Sequence, residues 1–182
     1  MGEAGIFSED DRVELIDGEV VEMAPIGDRH VECVYRLTRL LSRWAFLDAP
    51  SRYGGAEAGQ LGVHVQNPLA LTIDGEPQPD LVLVRRSEGR TGVPVPEEVL
   101  LVVEVAETSL AYDRNTKLPL YAEAGIPEAW LVDLTTDIIE VYSEPGPTGY
   151  GSVARFRREE RDISVTLPGL AFDASEALPL DR

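Results

Sequence analysis

The chain has 182 residues, 43% of them hydrophobic, and carries 16 basic against 33 acidic side chains, a formal charge of −17. A chain this long buries roughly 70% of its unfolded surface, so a single domain spanning 1–182 needs no disulfide or structural metal, and the lone Cys33 supplies neither an internal bridge nor a cysteine zinc site. No apolar run approaches the roughly 20 residues of a membrane span, and MGEAGIFSED has no basic or apolar leader pattern, so we expect a cytoplasmic protein without membrane contact.

Residues 12–23, RVELIDGEVVEM, alternate apolar and polar around Asp17-Gly18, the dipeptide of a type I′ hairpin turn. From Asp28, a candidate N-cap, to about Leu47, apolar residues Val31, Val34, Leu37, Leu41, Trp44 and Ala45 recur at spacings of three and four and predict an amphipathic helix. Arg36, Arg39 and Arg43 fall on its opposite side, as a solvated face or as phosphate contacts. A loop over 49–62 leads to a strand at about 62–67, a second strand is expected at 69–73 before Asp74-Gly75, and a third at 80–85 behind Pro79. After a polar loop, 98–106 (EVLLVVEVA) is apolar enough to be a central strand buried on both faces. A helix is expected over 113–124, with Asp113 as its N-cap, Pro119 bending it or delaying its start, and Gly125 and Pro127 ending it. Strands follow at 129–133 and 138–142, then a loop with Pro145, Gly146, Pro147 and Gly149, then strands near 153–158 and 163–167. The order describes an α/β (α+β) fold, a mixed sheet packed against helices behind an N-terminal β-hairpin.

Glu104 interrupts the most apolar strand, and an ionised carboxylate there is costly without a partner. An antiparallel pairing of 80–85 with 99–106 about a loop centred near residue 92 sets Asp80 opposite Glu104. Two adjacent carboxylates repel unless a cation lies between them, and such an oxygen-rich site suits Mg²⁺ or Mn²⁺. Lys117 is the one lysine among 16 basic residues. At helical spacing it shares a face with Leu120, Tyr121 and Ala124, so it points toward the sheet, where an ammonium can position or deprotonate water. The plainer alternative is a partly buried Asp80/Glu104/Lys117 ion cluster without catalysis.

The series ELIDGEVVEM, His30, QPDLVLV, LLVVEVAETS and YDRNTKLPLYAEAGIPEAWLVD resembles the Uma2 family, formerly a domain of unknown function, within the PD-(D/E)XK restriction-endonuclease-like superfamily. The resemblance runs from about residue 12 to beyond 140 and is most specific over Val103–Asp133. It implies a restriction-endonuclease-like fold in which Asp80 and Glu104 bind metal and the backbone carbonyl of Val105 adds a ligand. The superfamily's lysine two residues after the second acid is replaced by Ala106, and Lys117 in the following helix is its counterpart. Glu19 and His30 also match family positions, to orient water or complete the metal shell, with a surface charge and a helix N-terminal hydrogen-bonding group as the respective alternatives. Asp113 fits the pattern too; His64 has no assigned role.

The resemblance thus implies a Mg²⁺- or Mn²⁺-dependent endonuclease hydrolysing phosphodiester bonds in DNA, with Asp80, Glu104, Lys117, Glu19 and His30 as site residues. A charge of −17 repels polyanions, so DNA contact has to be weak, salt-dependent and made by local arginines, Arg36, Arg39 and Arg43 or Arg155, Arg157 and Arg158. A homodimer fits double-strand cleavage. The rival readings are an inactive nuclease-fold binding or assembly module and a metal-dependent phosphohydrolase of small phosphates.

Overall fold

The computed structural model describes residues 12–49, 60–86, 89–161 and 163–180. Strands β1 (Val13–Ile16) and β2 (Glu19–Glu22) form the expected hairpin, with Leu15 opposite Val20 and Ile16 opposite Glu19. Asp17 and Gly18 have φ of 49° and 81°, the two left-handed residues that a type I′ turn demands. Helix α1 (Asp28–Arg43) follows, capped by Gly27, so Asp28 lies inside the first turn and is not the cap. The helix passes into one π turn, Trp44–Asp48. Its buried stripe is Cys33, Val34, Leu37, Leu41 and Trp44. Val31, two residues from Cys33 and so on the far side of a helix with 3.6 residues per turn, is 57% exposed and not part of the stripe.

Strands β3 (Gln60–Val65), β4 (Leu81–Arg86), β5 (Val99–Ala106), β6 (Glu128–Asp133), β7 (Ile138–Gly146) and β8 (Gly149–Arg157) build a six-stranded mixed sheet in chain order. β5 and β6 are parallel, and the other neighbours are antiparallel. A parallel pair needs a crossover, which is supplied by the helical stretch 110–123, here α2. It comprises Leu110–Tyr112, a π turn Asp113–Lys117 and Leu118–Glu123. The helix starts at Leu110 behind Ser109, so Asp113 lies within it and is not its N-cap. Pro119, which has no N–H to donate, follows the widened turn, in which the Leu118 N–H bonds to the Asp113 carbonyl.

Three sequence expectations shift. Residues 69–73 make no strand; Gln66 at φ 50° ends β3, and 72–75 close a tight turn with one Thr72–Gly75 bridge. The loop expected at 145–149 is the tip of the β7–β8 hairpin, where Pro145 pairs with Tyr150. Pairing of β7 with β6 stops at Ser143, so the absent proline N–H leaves no ladder bond unmade on that side. The segment 163–167 is not a strand either, because the N–H groups of Val165 and Thr166 turn to the carboxylate of Glu128, at 3.1 and 2.7 Å.

The sheet is packed on both faces, as the apolar run 98–106 predicts. Leu101, Val103 and Val105 join Leu37, Leu41, Trp44, Leu81 and Trp130 on the α1 side. Val102 and Ala106 join Val82, Leu118, Tyr121, Ala129 and Leu131 on the α2 side. Period-two alternation therefore sends Glu104 toward α2. Among the described residues no helix is long and apolar enough to cross a membrane.

Candidate active site

The β4–β5 register is the one expected: Leu81 pairs with Val103 and Leu83 with Leu101, before a bulge at Leu83/Val84. Continuing it by one residue brings Asp80 alongside Glu104. Because β4 has ended there, the Val105 N–H has no ladder partner, and it donates to Asp80 Oδ2 at 2.8 Å. The same oxygen lies 3.1 Å from His30 Nε2, and Gln66 Nε2 donates to Oδ1 at 3.2 Å. His30 comes from the first turn of α1 and Gln66 from the residue that ends β3, so three segments converge on one carboxylate.

Glu104 is 3% exposed, and its Oε1 accepts the Tyr121 hydroxyl at 2.5 Å and lies 3.3 Å from Lys117 Nζ. Lys117 is equally enclosed and also contacts Glu14 Oε2 at 3.0 Å and Asp113 Oδ1 at 3.9 Å. Glu14 further accepts the Gln78 N–H at 3.2 Å. Backbone pairing of Leu15 with Glu76 and a 2.8 Å bond from the Gly18 N–H to the Asp74 carbonyl hold the hairpin against the segment leading to Asp80. The π turn matters to this arrangement, since it sets Asp113 and Lys117 on the flank of α2 that faces β5.

These groups line a cavity of about 630 Å³ in which Arg12 and Lys117 stand against Glu14, Glu22, Asp80, Glu104, Glu107 and Asp113. Burial pushes the Glu104 carboxyl well above the usual carboxylate range, against the pull of Lys117. Burial also raises Asp113, opposed by the Ser109 hydroxyl and Lys117. For Lys117 burial works in the opposite sense, but Glu104, Glu14 and Asp113 together outweigh it and hold the ammonium above the ordinary lysine range. The Tyr112 hydroxyl, which is buried and has no hydrogen-bond partner among the described residues, is pushed up to about 12, chiefly by burial.

Of the residues singled out in the sequence, Asp80, Glu104, Val105, Lys117 and His30 meet at this cavity. Glu19 does not: it sits beside the hairpin turn, exposed and outside the cavity lining. The acid that the hairpin contributes is Glu14, which sequence reasoning passed over. Its signal was available, because Glu14 is two residues before the buried Ile16 and so shares its face. The arginines named from sequence are partly committed elsewhere. Arg36 donates to Glu32 and the Leu178 carbonyl, Arg39 lies over the Tyr35 ring, and Arg158 holds Asp137 and the Leu178 and Pro179 carbonyls.

The donor set suits a hard divalent cation. Among the described residues no three His, Cys, Asp or Glu side chains are grouped to hold a metal. Mg²⁺ differs from zinc in needing only one or two carboxylates with retained waters. Asp80 and Glu104 could provide these, and the Val105 carbonyl leaves the same strand edge as the N–H that meets Asp80. The buried His30 Nδ1, which has no hydrogen-bond partner among the described residues, is a further unsatisfied polar atom at the site.

No curated protein matches the chain. A solved crystal structure, described as "a putative nuclease belonging to DUF820" from Anabaena variabilis ATCC 29413, is similar in fold. The TM-score is 0.66 at 13% identity, over 96% of this chain and 94% of that one. The family model described as "Uma2: Putative restriction endonuclease" matches residues 3–175, nearly the whole sequence, and confirms the resemblance seen in the motif series. The chain therefore belongs to the Uma2 family.

Proposed function

We propose that this protein is a Mg²⁺- or Mn²⁺-dependent endonuclease that hydrolyses phosphodiester bonds in DNA. One observation carries the reading: Asp80, Glu104 and Lys117, remote in sequence, share one cavity with an excess of carboxylates that a divalent cation would relieve. Family membership and the fold neighbour support a nuclease in general. Asp80 and Glu104, with the Val105 carbonyl, would hold the ion. When bound, it would lower the pKa of its water and neutralise charge on the phosphate. The Val105 N–H and Gln66 fix the Asp80 carboxylate. His30 Nε2, 3.1 Å from Asp80 Oδ2, orients the same group. Lys117, held protonated by its three carboxylates, serves as a hydrogen-bond donor and counter-charge to the phosphate and not as a base. Cutting both strands of a duplex commonly calls for two such sites, so the reading includes a homodimer, to be checked by light scattering.

The test is nicking of supercoiled plasmid with Mg²⁺, Mn²⁺ or EDTA. Metal-dependent nicking lost in Asp80→Ala, Glu104→Ala and Lys117→Ala is the expected result. Turnover of nucleotides or model phosphodiesters with plasmid untouched would assign a small-phosphate hydrolase instead, and no turnover with any metal would leave a binding or assembly module.

A further inference from the structure

The cavity is lined by far more acid than base, so it cannot by itself retain a polyanion, and backbone phosphates flanking the scissile bond have to be held outside it. The sheet register shows where. Glu104 pairs with Leu131, Leu131 with Glu140 and Glu140 with Arg155, a single row across four strands. With neighbouring strands ~4.8 Å apart, Glu140 lies ~10 Å and Arg155 ~14 Å from Glu104 along that row. Glu140 is a buried carboxylate gripped by two guanidinium groups. Arg114 donates to its Oε2 through Nε and Nη2, at 3.2 and 2.9 Å, and Arg155 Nε donates to its Oε1 at 2.8 Å. The Tyr142 hydroxyl completes the clamp at 2.6 Å.

Two cations on one acid leave a local excess of positive charge in a chain of net −17. Arg155 spends only Nε on the clamp, its side chain is 59% exposed, and both Nη groups remain for a ligand. Arg157 is two residues further along β8, on the same face and ~7 Å away. It pairs with Ile138, in the row that leads to Ala106. Among the described residues its side chain makes no ion pair; Glu160 accepts its backbone N–H at 2.7 Å. Arg114 shares the π turn with Lys117, so one helical turn reaches Glu104 from one flank and Glu140 from the other. A guanidinium pre-set by a buried carboxylate gives up little freedom on meeting a phosphate.

We propose that Arg114, Arg155 and Arg157 form a phosphate track for the sugar–phosphate backbone of the nucleic acid whose scissile bond enters the cavity. The spacing fits: at 3.4 Å of rise per nucleotide, 10–14 Å spans about three to four steps of one strand. The inference rests on the nuclease reading for its ligand class, and binding can be measured apart from cleavage.

The experiment is fluorescence anisotropy of a labelled oligonucleotide duplex titrated with the full chain in EDTA across a salt series. It compares wild type, Arg155→Gln/Arg157→Gln, Arg157→Glu alone, Asp80→Ala and a charge-matched control, Arg85→Gln/Arg90→Gln, on the loop side of β4. The track predicts that the double variant binds on the order of tenfold more weakly at about 0.1 M salt, with a salt slope reduced by about one per arginine. Arg157→Glu, at an exposed side chain without an ion pair among the described residues, should weaken binding in the same direction. The Arg85→Gln/Arg90→Gln control should bind as wild type does, and Asp80→Ala, which removes a cavity charge that repels phosphate, should bind no more weakly than wild type. Equal losses in control and double variant, unchanged binding in both track variants, or no salt-dependent binding by wild type would each overturn the track. If wild type binds through these arginines yet never cuts with any metal, the nuclease reading fails and the track stands. If Asp80-dependent cleavage persists with the track variants binding normally, the track fails alone.

Discussion

Replacing Lys117 with methionine removes the ammonium while keeping an unbranched side chain of similar reach. Lys117 lies 3.0 Å from Glu14, 3.3 Å from Glu104 and 3.9 Å from Asp113, and its side chain is 5% exposed. At an effective dielectric of ~20 each contact is worth about 4–6 kcal/mol of gross attraction. Desolvation cancels much of that, and stripping one partner from a buried ion cluster costs about 3–5 kcal/mol. For a chain of this size each kcal/mol moves Tm by about 2–4 °C, so we expect Lys117→Met to melt at least ~6 °C lower near pH 8. The sign with pH follows from Glu104. Its folded pKa is raised, so it binds a proton more readily folded than unfolded, and the penalty for ionising it grows as pH rises above the ordinary carboxylate value of about 4.3. Lowering the pH toward that value should therefore recover part of the variant's lost stability, and Mn²⁺ should recover part of it at high pH by replacing the missing charge. The wild-type lysine contribution is flat over this range: Lys117 is raised, so its stabilisation is complete below the unfolded value of about 10.4 and fades only as pH climbs through the folded one. Circular-dichroism melts at several pH values with EDTA or Mn²⁺ measure all of this. A variant melting within 2 °C of wild type, with no added dependence on pH or metal, would refute the buried-cluster account.

Glu104→Gln removes a carboxylate that burial disfavours while keeping an acceptor for Tyr121, so thermal melts at neutral pH should show equal or higher stability alongside lost nicking. Glu140→Gln should cost about 1–3 kcal/mol in urea unfolding at neutral pH, for the loss of charge-assisted bonds to Arg114 and Tyr142 together with the more exposed Arg155. Because Glu140 is held below the ordinary range by Tyr142, Arg155 and Arg114 against its burial, the wild-type advantage should vanish as pH falls through its folded value. Gly18→Ala places a Cβ 4.0 Å from the Asp74 side chain, without a clash, at φ +81°. It should cost about 1–2 kcal/mol by conformation alone, read as a lower urea midpoint with unchanged m.

Much of the site was legible before any coordinates. Period-two alternation and the Asp-Gly turn place the hairpin, and loop symmetry about residue 92 sets Asp80 against Glu104, because an antiparallel register is a relation between sequence positions. Helical spacing turns Lys117 inward for the same local reason. What lay beyond reach were contacts whose two ends are set by packing. Glu14 reaches Lys117 because the hairpin docks on Glu76 and Asp74, and His30 meets Asp80 because α1 crosses the far face of the sheet and brings its first turn to the end of β4.

Local rules also misplaced what tertiary bonds decide. Asp113 looks like a cap until the helix is seen to begin at Leu110, and 163–167 looks like a strand until Glu128 takes its N–H groups. Sequence alone determined most of the elements, the pairing of the two acids and the inward lysine, since each depends on backbone periodicity. Only the folded chain decided that one ammonium would answer three carboxylates, and that Glu140 would gather two arginines in line with Glu104. Electrostatic partnership depends on distance through space and on burial, and neither is a property of neighbouring residues.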